Sequence, residues 1–271
     1  MPLPVTRLHP TLRERLAGSD RALFGGWICS GSPVVAEVMA GSGLDWVLID
    51  MEHAPNGLES TLAQLYAVSA YPVTPVVRVP TADDVVLKQV LDLGAQTVLV
   101  PMVSTPEQAR AVVEATQYPP RGRRGVGSAL ARSARWNRVE GYLADAAQHV
   151  CVLVQVETVE GVENAEAIAA TEGIDGVFVG PSDLAASMGL LGRQSHPDVV
   201  AAVRRALDAV RTTGTPVGVN AFDPAVARGY VDAGARFVLV GADVALVARG
   251  SEALAAEFTT TARDEAERPS Y

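Results

Sequence analysis

Lysine is almost missing from this chain. Among 271 residues with 22 basic side chains the one lysine is Lys88, inside a predicted helix from Val85 to Leu93 and away from any strand end. Imine chemistry needs a lysine amine at the reacting carbon, so a Schiff-base mechanism has little to build on. Cysteine is also scarce: Cys29 and Cys151 lie in the apolar runs Gly26-Trp27-Ile28-Cys29 and Cys151-Val152-Leu153-Val154. They read as two buried thiols in a reducing compartment, with neither a disulfide nor a zinc cluster. No apolar run approaches a membrane span. The start Met1-Pro2-Leu3-Pro4 has no signal-peptide core, so the expected location is cytoplasmic. A basic stripe is missing too, and the formal net charge is -9. That disfavours nucleic acid and anionic membranes, although a local arginine and a metal can still attract a small anion.

What the chain has is a repeat. Segments 43–50, 94–101, 173–180 and 234–241 each open on a glycine suited to a helix C′ position, run through aliphatic residues, and end in Asp, Pro or Gly. Four further strands are predicted at Phe24–Cys29, Pro75–Val79, Cys151–Glu157 and Pro216–Asn220, making eight. Helical periodicity fills the gaps at Pro33–Ala40, Leu58–Ala70, Val85–Leu93, Pro106–Thr116, Val162–Ala169, Pro197–Thr212 and Pro224–Ala233. Strands buried on both faces that alternate with helices predict a (β/α)8 barrel. A doubly wound open sheet is the alternative, weakened because no Gly-rich dinucleotide fingerprint follows the first strand. The whole chain, 1–271, is expected to be one barrel domain. The stretch 118–138 is an excursion, 244–261 a C-terminal helix, and 264–271 a frayed tail.

Barrel enzymes react at the carboxyl ends of their strands. The polar residues falling there are Asp50, Glu52, His53, Arg78, Gln155, Glu157, Ser182, Asp183 and Asn220. Alternation puts Gln155 and Glu157 on one face, and Asp183 follows the Gly180-Pro181 turn. Two carboxylates at neighbouring strand ends suit Mg²⁺ or Mn²⁺, with positions left for water and a bidentate ligand; helix capping is the alternative reading of either acid alone. Arg78 ends an apolar strand, and is either salt-bridged to Asp50 or Glu52 or aimed at a developing oxyanion. His53 beside two acids is a candidate base. Asp92 reads as a helix-terminal surface residue. Arg121-Gly122-Arg123-Arg124 reads as a solvated turn, and His9, His149 and His196 as surface residues.

Several segments in order carry a resemblance: Leu48-Ile49-Asp50-Met51-Glu52-His53-Ala54-Pro55-Asn56, Pro75-Val76-Val77-Arg78, Leu99-Val100-Pro101-Met102-Val103, Arg124-Gly125-Val126-Gly127-Ser128-Ala129-Leu130-Ala131-Arg132, Gln155-Val156-Glu157-Thr158 and Val179-Gly180-Pro181-Ser182-Asp183-Leu184. From about Phe24 to Ala255 the chain resembles the class II, metal-dependent pyruvate aldolases of the 4-hydroxy-2-oxoheptanedioate and 2-keto-3-deoxy sugar acid aldolase family. The resemblance implies a phosphoenolpyruvate/pyruvate-type TIM barrel. The implied enzyme is a carbon–carbon lyase that reversibly cleaves a 4-hydroxy-2-oxo acid to pyruvate and an aldehyde through a metal-bound pyruvate enolate. Glu157 and Asp183 would bind the metal, Mg²⁺ or Mn²⁺ with Co²⁺ as a further candidate. Gln155, with the backbone around Ser182 and Asp183, would hold pyruvate. His53 would be the base and Asp92 its partner, Arg78 would steady the enolate oxygen, and Ser128 would lie near the aldehyde. Met51 departs from a common glycine, which bears on substrate preference. The family also implies a role in aromatic compound catabolism and a homo-hexamer with exchanged C-terminal helices. Alternatives are a barrel enzyme acting on phosphoenolpyruvate or an acyl-CoA thioester, oxaloacetate decarboxylation as main activity, and a non-catalytic binding barrel.

Overall fold

Four glycines in the left-handed region, Gly43, Gly94, Gly173 and Gly234, with φ of +92°, +93°, +92° and +102°, turn the chain from a helix back toward a strand. A side chain would strain each of these turns. The computed structural model describes residues 8–259. The order is α1 (Leu12–Ala17), β1 (Leu23–Ile28), α2 (Pro33–Ala40), β2 (Trp46–Asp50), α3 (Leu58–Val68), β3 (Thr74–Arg78), α4 (Asp84–Asp92), β4 (Thr97–Val100), α5 (Pro106–Thr116), α6 (Tyr142–Asp145), β5 (Cys151–Val156), α7 (Val159–Glu163), α8 (Ala165–Ala169), β6 (Gly176–Val179), α9 (Pro181–Ser187), α10 (Pro197–Thr212), β7 (Val217–Asn220), α11 (Pro224–Asp232), β8 (Phe237–Ala242) and α12 (Asp243–Phe258). All eight strands pair in parallel and in sequence order, and β8 closes on β1.

Two apolar layers hold the barrel. Inside it, Trp46, Leu48, Val76, Leu99, Leu153, Phe178, Phe237 and Leu239 form one buried cluster, with the Trp46 and Phe237 rings edge to face at 5.9 Å. Leu12 and Leu16 of α1 belong to that cluster, and the Leu12 N–H donates to Thr97 Oγ1 at 3.1 Å, at the amino end of β4. The barrel is thus plugged at its amino end and open at the carboxyl end. The second layer packs the outward strand residues, such as Val47, Val77, Val98 and Val177, against the helices.

The eight expected strands are present, each within a few residues of its predicted span. Four helical features differ from expectation, two of them being α1 and α6, which have no counterpart among the predicted helices. The segment expected as Val162–Ala169 is broken into α7 and α8 at Asn164, whose side-chain amide donates to the Ser104 carbonyl at 2.8 Å. The Gly180-Pro181 turn is the start of α9, with proline at its first position, where its missing N–H costs nothing. The excursion contributes no strand. The expected tail, 264–271, and the last two residues of the helix expected over 244–261 lie outside the described residues. No described helix is long and apolar enough to cross a membrane. Cys151 is fully buried and Cys29 half-buried; both are free thiols.

Candidate active site

The register of β2 and β3 sets Asp50 directly opposite Arg78. Arg78 Nε and Nη2 donate to the two Asp50 oxygens, each at 2.8 Å. Nη1 pairs with Glu52 at 2.8 Å. The guanidinium lies 4.3 Å from the Trp27 ring centroid, and Trp27 Nε1 donates to Asn220 at 2.8 Å. Both members of the central pair are buried, with Arg78 5% and Asp50 1% exposed. Burial works to lower the pKa of Arg78, but the bond to Asp50 and the nearby acids outweigh it and leave the group above its ordinary value. The guanidinium is therefore a fixed charge with a locked orientation. The salt-bridge reading of Arg78 is realised with both acids, and it also explains how the same group is preorganised.

Beyond β2 the chain turns on Asp50. Glu52 N–H donates to Asp50 Oδ1 at 3.0 Å and the Asn56 amide to the Asp50 carbonyl at 2.7 Å. Burial pushes the Glu52 carboxyl up, against the pull of Arg78. Met51 packs back against the barrel–helix core. His53 is exposed, with Nε2 3.8 Å from Glu52.

Gln155, next to last in β5, lies on the same side as Glu157, and its amide donates to Glu157 Oε2. The Met102 N–H donates to Glu157 Oε1 at 2.8 Å, from a residue whose φ of +57° is rare outside glycine. Glu157 is 2% exposed, and burial, with Asp183 and Glu52 nearby, raises its carboxyl to about 7. Asp183 is exposed in the first turn of α9. A Cβ on Gly180 would fall 2.7 Å from Glu157 Oε2, so only glycine leaves that carboxylate room.

This is a donor set that fits a divalent cation. A buried carboxylate facing further acids is costly without a counter-charge. The buried Gln155 Oε1 has no hydrogen-bond partner. Among the described residues no group of three or more His, Cys, Asp or Glu side chains forms a metal cage. A cation here would thus rest on Glu157 and Asp183, with its other positions filled by water or substrate.

The remaining candidates lie elsewhere. Asp92 ends α4, which runs back from the carboxyl to the amino side of the barrel, whereas His53 follows the carboxyl end of β2. Asp92 accepts from Arg124 Nη2 at 2.7 Å and makes no contact with His53 within the chain. The pairing implied by the resemblance is therefore not made by one copy alone. Ser128 is buried in the excursion and lines an open groove with Asn137, Val139 and Tyr142, apart from Glu157. The arginine turn is corrected in one residue: Arg123 is exposed between Asp84 and Glu114, but Arg124 is wholly buried. His9 is exposed, His149 stacks on Tyr142 at 5.8 Å, and His196 caps α10. Trp27, Gly180 and the Met102 N–H were not legible as site groups; a glycine after an apolar strand is a weak signal, and backbone donors leave none.

An eight-stranded parallel barrel with acids and a fixed arginine at its carboxyl end is the framework of a barrel enzyme. The chain belongs to the HpcH/HpaI aldolase/citrate lyase family, matched over residues 23–250, and is accordingly a carbon–carbon lyase. It is 53% identical to a hydroxypyruvate/pyruvate aldolase of Deinococcus radiodurans, covering 98% of this chain and 96% of that one. It is 50% identical to a 4-hydroxy-2-oxo-heptane-1,7-dioate aldolase of Salmonella dublin, covering 89% and 91%. A crystal structure of a family member from Burkholderia cenocepacia superposes with a TM-score of 0.87 at 44% identity, covering 91% and 98%.

Proposed function

We propose that this protein catalyses the reversible aldol cleavage of a 4-hydroxy-2-oxo acid to pyruvate and an aldehyde. The observation that carries the reading is Glu157: a buried carboxyl raised to about 7 by burial with Asp183 and Glu52 nearby, its charge also felt by the locked Arg78. Breaking C3–C4 leaves an electron pair on C3, delocalised as a pyruvate enolate. Glu157 and Asp183 would hold a divalent cation, Mg²⁺ or Mn²⁺ with Co²⁺ as a further candidate, which would supply electrophilic stabilisation for that charge. Gln155 and the backbone at Ser182 and Asp183 orient the oxo acid. Arg78, preorganised by Asp50, Glu52 and Trp27, faces the developing negative oxygen without reorganising. His53 takes the 4-hydroxyl proton as the aldehyde leaves.

His53 and Asp92 lie toward opposite ends of one barrel, so their pairing is assigned to two copies of the chain. Assembly has support in α12. Leu246, Val247, Leu254 and Phe258 are each more than 60% exposed, and Asp243 is the helix's single buried residue. A helix so apolar and so little covered suits exchange between neighbours in a homo-hexamer, with Ser128 and the excursion brought near a neighbour's aldehyde site. The Salmonella relative's name makes 4-hydroxy-2-oxo-heptane-1,7-dioate the first oxo acid to test. The Deinococcus relative's name adds hydroxypyruvate as a second donor to test.

The test is deuterium exchange at C3 of pyruvate and of hydroxypyruvate in D₂O, followed by NMR with Mg²⁺ or Mn²⁺ and then with chelator. Metal-dependent exchange, lost in Glu157→Ala and Asp183→Ala, is expected. Exchange that persists in chelator or in Asp183→Ala sinks the proposal.

A further inference from the structure

Arg124 is a buried cation that the chemistry above leaves unused. The excursion folds back on the end of α5, with the Arg124 N–H donating to the Gln117 carbonyl at 2.9 Å, and this turns the side chain inward. That side chain is 0% exposed. Its guanidinium lies 4.6 Å from the Tyr118 ring centroid and makes one charged contact, Nη2 to Asp92 Oδ1 at 2.7 Å. Nε and Nη1 have no acceptor.

For stability alone this is a poor arrangement. Desolvating a guanidinium is costly, and an apolar side chain of similar size is often as good or better. Asp92 is also misplaced on its helix: it is the last residue of α4, where the carbonyl end of the helix dipole opposes a carboxylate. Arg124 supplies the charge that offsets this. It grips Oδ1, while Oδ2 lies beside Gly127, close enough that a Cβ there would stand 3.5 Å away and cover it. Asp92 stays one-quarter exposed.

We propose that Arg124 is a positioning residue, holding Asp92 by one oxygen so that the other is presented outward to His53 of a second copy of the chain. The inference rests on the reading that Asp92 serves His53, and goes beyond it by naming the group that orients the acid.

The test is a double-mutant cycle in the full-length protein, with Arg124→Gln, Arg124→Lys, Asp92→Asn and Asp92→Asn/Arg124→Gln. Retro-aldol kcat and KM and the thermal midpoint are read for each. Arg124→Gln is expected to lower kcat roughly tenfold to a hundredfold, as loss of an orienting partner does, with KM little changed. Arg124→Lys, which keeps a charged donor, should recover most of kcat. In the Asp92→Asn background Arg124→Gln should cost nothing more. Independent, multiplicative losses would overturn the proposal, because Arg124 would then not act through Asp92. Full activity in Asp92→Asn would overturn the underlying reading of Asp92 and the proposal with it. If Arg124→Gln does not fold, Arg124→Lys decides: kcat as low in it as in Asp92→Asn overturns the proposal, and near-native kcat supports it.

Discussion

Arg78 combines two readings that a sequence leaves as alternatives. It is salt-bridged and it is the candidate electrophile, because the pair with Asp50 and Glu52 is what fixes its orientation. Arg78→Ala is therefore expected to lower kcat by about 10²–10³-fold while shifting pyruvate affinity far less. Steady-state kinetics checks this, and equal losses in both parameters would count against a transition-state role. The same change leaves Asp50, 1% exposed, without its partner, so a stability loss of about 3–5 kcal/mol is expected in denaturant melts. Glu157 sets a pH dependence. Its carboxyl is raised from the ordinary 4.5 to about 7, so between those values the folded metal-free protein holds more protons than the unfolded chain. Stability then falls as pH rises from about 4.5 to about 7, by on the order of 3 kcal/mol, and is not penalised below that window. Adding Mg²⁺ offsets the penalty, so its gain in Tm should be larger at pH 8 than at pH 5. An equal gain at both, or an unchanged pH slope in Glu157→Gln, would remove Glu157 as the cause.

At the scale of elements, the β6–α9 junction builds the side of the site proposed to hold the metal. Gly180 caps α9 and sits beside Glu157, and Pro181 begins the helix that presents Asp183. Gly180→Ala is expected to displace the Glu157 carboxylate and weaken metal binding by about tenfold or more, with the barrel intact. Metal titration against the exchange rate, with circular dichroism as control, reads this; unchanged metal affinity would show that the carboxylate has slack. Gly-Pro is as much a turn signal as a helix start, so the sequence leaves α9 unmarked. The division at Asn164 has a different origin, because its amide is recruited by a carbonyl sixty residues away, at Ser104.

At the scale of the whole molecule, α12 leaves Leu246, Val247, Leu254 and Phe258 exposed. Leu246→Glu with Leu254→Glu should yield a smaller assembly by light scattering with the circular dichroism of the barrel retained. Activity should fall with assembly, because His53 and Asp92 cannot meet in one copy. A monomer with full activity would refute the shared site.

The linear order of residues was enough for the barrel and for its reactive end. Glycine at each helix return, aliphatic strands buried on both faces, and acids just past strand ends are local or periodic signals. They are enough to place Glu157, Asp183, Arg78 and His53 at the carboxyl end. Closing the barrel decided the rest. That Asp50 stands opposite Arg78 depends on the β2–β3 register. That Arg124 is buried depends on an excursion folding against α5 and α4. That His53 and Asp92 stand toward opposite ends depends on a helix running antiparallel to its strands. None of these distances is local in sequence, so no pattern along the chain encodes them; they exist only once the barrel has closed.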